Sequence, residues 1–221
     1  MTTPVDLDAL VAGGDAAGPT PAVRALALAH GATCARLLEF VRPLYDLARR
    51  HGADEAQIRE TALQVVAFGG FPSAIAGLEA LGATSADDAV DPLTVPAPQD
   101  AARAGRATFE AVYRANTDVV LDHLDDLVPG FSNWVLHAAY GSILSRPALD
   151  LADRELLAVA ALALMGLARP LESHIRGALH NGSPAPHVDD ILLCSRTLAA
   201  PAARSVIDHA RDRLQRRILR R

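Results

Sequence analysis

The chain has 221 residues and a formal net charge of −5, and all 21 of its basic residues are arginine. The lack of lysine excludes a lysine Schiff base and a phosphate-binding P-loop lysine, and the net negative charge gives no general footprint for nucleic acid. Half of the residues are hydrophobic but only 4% are aromatic, so alanine, leucine and valine must build the core. These proportions favour helices, because alanine and leucine are strong helix formers.

The cysteine content and the N-terminal sequence indicate a soluble, cytoplasmic protein. Cys34 and Cys194 are too few for a disulfide framework, and they fit either buried structural thiols or reactive ones. The first residues have neither the charged nor the apolar region of a signal peptide. The longest uncharged apolar run, Leu156 to Ala168, is shorter than a membrane span, so we expect no membrane partner.

Taken in order, the chain begins with residues 1–20, whose Gly, Ala, Thr and Pro content predicts a flexible arm. Residues 82–100 contain three prolines and predict a linker. No window alternates apolar and polar residues as a strand would, so we expect an all-α fold. Apolar residues recur at helical spacing over residues of about 21–51, 54–68, 73–81, 101–124, 131–144 and 154–182.

Two parts of the chain share a spacing pattern. Arg24 precedes Gly52 by 28 residues, as Arg154 precedes Gly182, and Ile58-x-Glu60 is matched by Val188-x-Asp190. An offset of 130 residues aligns the two sets, which predicts a helical bundle made of two related repeats. We assign the first repeat to residues 21–81 and the second domain to residues 101–221.

The stretch from Arg154 to Gly182 holds the best candidates for chemistry. It begins with an almost wholly apolar helix that carries Glu155, and a second helix carries His174. Glu155 also fits an acid that stabilises a helix N-terminus, and His174 fits a core histidine bonded to a carbonyl. In a simple antiparallel hairpin the two residues would be offset by about 10 Å along the helix axis. Crossed helices or a neighbouring chain would be needed to join them.

The same stretch resembles the carboxymuconolactone decarboxylase-like, or alkylhydroperoxidase D-like, superfamily. The resemblance rests on Arg-Glu-Leu before an apolar helix, a turn, the lone His174 and a helix that ends in Asn-Gly. It extends over residues of about 105–210, with Gly105, Phe109, Tyr113 and Tyr140-Gly141 in the lead-in. The resemblance implies two repeats of the alkylhydroperoxidase D-like type, of which the first is degenerate.

The peroxidase branch of this superfamily implies a C-x-x-C pair that ends four residues before the histidine. Leu167 and Pro170 stand at those two positions, and Cys34 and Cys194 form no such pair. A thiol peroxidase needs a thiolate and a partner that resolves its sulfenic acid. An antioxidant peroxidase is therefore the disfavoured alternative.

The decarboxylase branch needs no thiol, and it implies a cofactor-free lyase that acts on a small carboxylated lactone or related acid. His174 would donate the proton and Glu155 would orient or relay for it. The candidates for binding the substrate carboxylate are Arg154, Arg146 and Arg176. Phe71, in the Gly69-Gly70-Phe71-Pro72 turn, fits either the lining of a ligand site or a tight interhelical turn.

A non-catalytic helical scaffold or binding protein is the third interpretation. We expect no metal, because no pair of histidines has a zinc-like spacing with a third ligand, and we interpret His137 and His180 as structural. We expect no cofactor and no nucleic-acid partner. The apolar helix after Arg154 and the superfamily resemblance predict a homo-oligomer, with a trimer favoured, that binds a small-molecule substrate.

Overall fold

The structure is a computed structural model, and it describes residues 5–14, 16–82 and 93–218. Every regular element in these ranges is helical, so the predicted all-α fold is confirmed. The α-helices are α1 Leu7–Ala12, α2 Pro21–Cys34, α3 Leu38–Arg50, α4 Glu55–Leu81, α5 Pro98–Tyr113, α6 Thr117–Leu127, α7 Phe131–Val135, α8 Leu151–Leu164, α9 Ala168–His180, α10 Ala185–Leu198 and α11 Pro201–Ile218. A 3₁₀ turn, Arg114–Asn116, follows α5, and a π-helix, Leu136–Leu144, follows α7.

The N-terminal segment is more ordered than its composition predicts. Helix α1 lies within the segment expected to be a flexible arm, and the side chain of Asp6 caps it by accepting from the Ala9 backbone N–H. Val11 of α1 is fully buried in the main core. Within the segment predicted to be a flexible arm, α1 is therefore a helix whose apolar face packs in the core.

Helix positions repeat along the chain with an offset of 130 residues. Helices α2 and α8 begin and end at equivalent positions, as do α3 and α9, and α4 begins where α10 does. The backbone repeats too: Arg36 and Gly166 have φ of 62° and 70°, and Gly52 and Gly182 have φ of 97° and 100°. Equal lengths with equal left-handed turns support the predicted duplication. The exact domain limits stay a prediction, and most of the predicted linker, residues 83–92, lies outside the described residues.

Helix α4 is bent at Gly70, whose φ of 76° and ψ of 171° are not helical. The bend falls in the predicted interhelical turn and corresponds to the break between α10 and α11. By length and composition α4 could cross a membrane, although Gln64 and Ser73 interrupt its apolar sequence. Core helices of soluble proteins pass the same test, and a single such helix is weak evidence.

The segment between the two repeats departs from its predicted helices. One helix was expected over residues 101–124, but the chain breaks at Arg114, whose φ is 49°. The helix expected over residues 131–144 turns into a π-helix after Val135. The π-helix packs closely against α5, and Phe109, Tyr140 and Leu144 form a second small core between them.

The core of the molecule lies between α2 and α8, which contact each other extensively. Every residue from Arg154 to Leu164 is buried within this one chain. The first repeat therefore covers the apolar helix that suggested a homo-oligomer. The oligomeric state stays a prediction, which now rests on the superfamily resemblance alone.

Two buried ion pairs join the repeats reciprocally. Arg24 of α2 donates from Nε to Oδ2 of Asp190 on α10 at 2.6 Å. Arg154 of α8, at the equivalent position, donates from Nη2 to Oε2 of Glu60 on α4 at 3.1 Å. All four residues are less than 5% exposed. Each repeat thus supplies the arginine for one pair and the carboxylate for the other.

We expect Asp190→Asn to lower the free energy of unfolding by about 3 kcal/mol, because it leaves the Arg24 charge buried and uncompensated. The double variant Arg24→Met, Asp190→Leu should be less destabilised than the sum of its single variants, since neither charge remains. Urea denaturation of all three proteins measures both effects. Asp208→Asn, in the exposed pair with Arg196, is the control and should change little. Additive costs in the double variant would contradict the prediction.

Candidate functional site

The structure brings His174 and Glu155 into direct contact within one chain. Nδ1 of His174 lies 3.0 Å from Oε2 of Glu155. The Asp150 side chain caps α8 and so fixes the start of the helix that carries Glu155 in its second turn. Because an ionised carboxylate can only accept, Nδ1 carries the hydrogen in this bond, and Nε2 is the ring nitrogen that remains for proton exchange.

The absence of a side chain at Gly177 allows Glu155 to reach His174 despite the expected offset along the helix axis. A Cβ atom at Gly177 would lie only 2.1 Å from Oε2 of Glu155 and 2.9 Å from Cγ1 of Val112. The missing side chain lets the Glu155 carboxylate lie directly against the backbone of α9. The carboxylate then reaches His174, which is one turn away on the same helix.

Phe68 of the first repeat packs against His174, and His30 packs against Phe68 in turn. The Phe68 ring packs edge-on against His174 with a centroid separation of 5.4 Å, and against His30 with a separation of 5.5 Å. His30 is fully buried, and its Nδ1 lies 2.9 Å from the carbonyl oxygen of Leu157. Burial lowers the pKa of His30 to about 4, so this imidazole is neutral near pH 7.

Two tyrosines lie on the Glu155 side of the pair. The Tyr140 hydroxyl donates to that of Tyr113 at 3.3 Å. Burial raises the pKa of both hydroxyls, and the charge of Glu155 raises it further. Oε1 of Glu155 is buried and has no hydrogen-bond partner in the described part of the chain. A buried carboxylate oxygen normally has a partner, so this atom is a place for a water molecule or a ligand donor.

An open cavity of about 1300 Å³ lies beside the pair, between α9 and the segment from Val112 to Asp126. Tyr113, Ser173 and Arg176 are part of its lining. Neither His174 nor Glu155 is, and His174 is only 6% exposed. The pair therefore lies behind the cavity wall, and Tyr113 belongs to the part of the wall on the Glu155 side.

Of the three candidate arginines, Arg154 and Arg146 share Glu60 as a partner, and Arg176 lines the cavity. Arg154 is fully buried and bound to Glu60, to Gln64 and to the carbonyl oxygens of Arg146 and Pro147. No part of its side chain is accessible, so its expected role in binding substrate has no support from this structure and stays a prediction. Arg146 also binds Glu60 and lines a groove elsewhere. Arg176 is the candidate that faces the cavity, where its Nη2 donates to Oγ of Ser173 at 3.1 Å.

The remaining candidates are also away from the pair. Phe71 and His137 line the same groove as Arg146, so Phe71 does not join His174. His180 lines the cavity, and its Nδ1 has no partner among the described residues. Within the described ranges, no cluster of three or more His, Cys, Asp or Glu side chains could hold a metal ion.

Both cysteines are buried free thiols. Sγ of Cys34 lies 3.9 Å from Nε2 of His30, and Sγ of Cys194 lies 3.8 Å from the carbonyl oxygen of Leu10. Burial raises the pKa of each thiol to about 12. The thiolate that peroxide chemistry requires is therefore disfavoured at both positions.

The sequence pointed to His174 and Glu155, but it did not point to the residues that lie around them. Tyr113 and Tyr140 were noted only as part of the resemblance, and nothing placed them near Glu155. His30 gave no signal, since its equivalent in the second repeat is Ala160. The ion pairs could have been found, because the repeated arginines and the repeated acidic positions are the four residues that pair.

These features define an all-α protein of duplicated helical hairpins with a buried carboxylate–imidazole pair. Residues 129–212 match the carboxymuconolactone decarboxylase family model. Over this segment the chain is similar to the carboxymuconolactone decarboxylase-like, or alkylhydroperoxidase D-like, superfamily. The matched segment includes Glu155, His174 and Arg176, whereas the first repeat and Tyr113 lie outside it.

A curated relative supports the same assignment. The chain is 29% identical over 93 residues to a 4-carboxymuconolactone decarboxylase of Acinetobacter baylyi. The similar region covers 42% of this chain and 69% of that protein. The likeness supports a related function at the level of the family, and it leaves the substrate of this chain to be determined.

We expect Gly177→Ala to destabilise the protein by about 1–3 kcal/mol, because the new methyl group overlaps the Glu155 carboxylate. Glu155→Ala removes the two nearest clashing atoms, so Gly177→Ala should cost less in that background. Chemical denaturation of the four proteins in this cycle measures the coupling. Ser173→Ala, on the cavity side of the same helix, is the control. Equal costs in the two backgrounds would show that Glu155 does not occupy this space.

We expect His30 to make the protein less stable as the pH falls from 7 to 5. Its pKa is about 4 in the folded protein, against 6.5 for an unperturbed histidine, so the unfolded chain binds the proton first. The loss amounts to about 2 kcal/mol between these pH values. Asp153 acts in the opposite direction, because burial raises its pKa to about 6. The measurement is therefore the difference between the wild type and His30→Gln in urea unfolding at both pH values. Parallel pH dependence in the two proteins would contradict the prediction.

Proposed function

We propose that the protein is a cofactor-free carboxy-lyase that removes CO2 from a small carboxylated lactone or related acid, with His174 as the proton donor. The observation that carries the proposal is the direct contact between His174 and Glu155 inside the segment that matches the decarboxylase family. The pair is buried, which strengthens its electrostatic interaction with any charge that develops nearby. The name of the Acinetobacter baylyi relative supports the substrate class.

The reaction needs an electron sink and a proton. When the bond between the carboxylate carbon and the substrate skeleton breaks, CO2 leaves and the electron pair remains on the skeleton. A lactone carbonyl delocalises this pair as an enolate. His174 then gives a proton to the carbon, and solvent returns a proton to the imidazole. The step balances without an oxidant, a reductant or a metal ion.

Glu155 supports His174 in two ways. Its Oε2 accepts from Nδ1, which fixes the tautomer and the orientation of the imidazole and leaves Nε2 for the proton transfer. Its negative charge also stabilises the imidazolium form that donates the proton. Glu155 is therefore a positioning residue whose effect acts through His174.

The cavity beside the pair supplies the entry route in this proposal. Arg176 is accessible there and can bind a carboxylate of the substrate through two N–H groups. Tyr113 lies in the wall of this cavity, and burial and the charge of Glu155 raise the pKa of its hydroxyl, so it is a wall residue close to the pair. His180 also lies in the lining of the same cavity and brings an imidazole ring to it.

The proposal also covers the partner, the location and the oligomeric state of the protein. Its partner is a small-molecule substrate, and its location is the cytoplasm, as expected from the sequence. A homo-oligomer, with a trimer favoured, follows from the superfamily resemblance. Neither the assembly nor the location is needed for the contact between His174 and Glu155, which forms within one chain.

We expect His174→Gln to lower turnover of 4-carboxymuconolactone by about 100-fold or more, the usual scale for loss of a general acid. Glu155→Gln should lower it less, and it should shift the pH profile because the imidazole loses its charged partner. Arg176→Met should mainly raise KM. Carbon dioxide release and loss of the lactone signal in NMR are the measurements.

The control for these variants is Arg169→Met, which removes an exposed charge from the cavity rim and should leave kcat unchanged. Circular dichroism checks that each variant is folded. An active His174→Gln protein would end the proposal. If the wild type turns over none of a panel of carboxylated lactones and related keto acids, the lyase is likewise rejected.

A further inference from the structure

A second, more apolar concave surface lies beside α4, apart from His174 and Glu155. It is a groove of about 730 Å³ between α4 and the π-helix, called here the α4–π groove. Phe71, Ile75 and Trp134 stand along it, and they are 70%, 54% and 68% exposed. The groove and the cavity beside His174 share no lining residue. Large exposed apolar side chains gathered around one concave surface are typical of a binding site.

The polar groups of the groove are few and lie at defined points. Arg146 is the one residue with a formal charge in its described lining, and its side chain is 17% exposed. Nε and Nη2 of Arg146 bind Glu60, at 2.9 Å and 2.8 Å, and Nη1 binds the carbonyl oxygen of Thr94 at 3.1 Å. A guanidinium has five N–H groups, so two of those of Arg146 are left without a partner in the described structure.

Arg146 has no arginine counterpart in the other repeat. In the other repeat, Arg24 binds Asp190 and the carbonyl oxygens of Val11 and Pro19. The position equivalent to Arg146 there is Ala16, which carries no charge. Without Arg146, Glu60 would still have a buried arginine, Arg154, as its ion-pair partner. Arg146 is therefore a second arginine on Glu60, at a position where the other repeat has an uncharged alanine, and it reaches the groove.

The directly bonded cluster of Arg146, Arg154 and Glu60 contains two positive charges and one negative charge. A carboxylate at the Arg146 end of the groove would balance it and would take up the two remaining N–H groups. The rest of the groove offers apolar and aromatic surface for an uncharged body. Its volume falls in the usual range for small-molecule sites, roughly 300–1000 Å³.

We propose that the α4–π groove binds a small amphipathic carboxylic acid, with its acyl or aryl body between α4 and the π-helix and its carboxylate on Arg146. The π-helix supports this assignment, since such wide helical turns are rare and are frequent at functional sites. It turns the side chains of His137, Ser142 and Ile143 toward the groove while Tyr140 stays in the core. The site is independent of the lyase chemistry and stands even if that chemistry fails.

Decanoate is the probe that tests this site, and the only tryptophan of the chain, Trp134, reports on it. Decanoate should shift Trp134 emission to the blue and saturate, whereas decanol, which has the same chain length without the charge, should bind at least about tenfold more weakly. Arg146→Met should weaken decanoate binding by a similar factor and leave decanol unaffected. Arg176→Met, in the separate cavity, is the control and should bind decanoate as the wild type does.

A second pair of variants keeps the test independent of Arg146. Ile75 is exposed, so Ile75→Asp and Ile75→Asn should both fold, and they differ only by a charge in the groove. Ile75→Asp should bind decanoate more weakly than Ile75→Asn, because the new carboxylate repels the ligand.

Three results would overturn the proposal. Equal binding of decanoate and decanol, unaffected by Arg146→Met, would show an apolar surface without carboxylate recognition. No saturable change in Trp134 emission with either compound would reject the site. Emission that shifts with protein concentration alone, together with a larger sedimentation coefficient, would show that a second copy of the chain covers the groove.

Discussion

The reciprocal ion pairs are the constraint on which the rest of the structure depends. Arg24 and Arg154 stand at equivalent places in two central helices, and each finds its carboxylate in the opposite repeat. Buried charges are costly unless paired, so the two halves must dock in one register. That register places Phe68 of the first repeat over His174 of the second. The candidate site is thus assembled by the same contacts that hold the repeats together, although the first repeat has neither the acid nor the imidazole.

The two repeats have diverged around this shared frame. In the second, Gly177 admits the Glu155 carboxylate and creates a polar pair beside a cavity. In the first, the positions equivalent to Glu155 and His174 are Ala25 and Leu44, both fully buried in the core. One repeat carries the chemical groups and the other supplies packing. The groove next to α4 belongs to neither hairpin alone, because one of its walls is the π-helix of the connecting region.

Much of the fold could be predicted from the sequence because alanine- and leucine-rich segments have few alternatives to a helix. The break at Arg114 and the π-helix after Val135 could not, since both depend on how α5 and its neighbours meet. His174 and Glu155 were found by their spacing, but their contact was not, because it depends on an absent side chain at Gly177. The sequence predicted Arg154 and Arg146 as candidates for binding the substrate carboxylate. Their shared partner, Glu60, becomes evident only from the packing of the helices.

The covalent link between the repeats has a consequence of its own. Two separate hairpins with these complementary charges would have to meet as a dimer, and their stability would depend on protein concentration. Within one chain the partner is present at an effective concentration of about millimolar or more, so the pairing survives dilution. Within one chain the two repeats also have separate sequences, so a substitution in one repeat does not change the other. This freedom accounts for how Arg146 could arise beside Glu60 while Ala16 stands at the matching position.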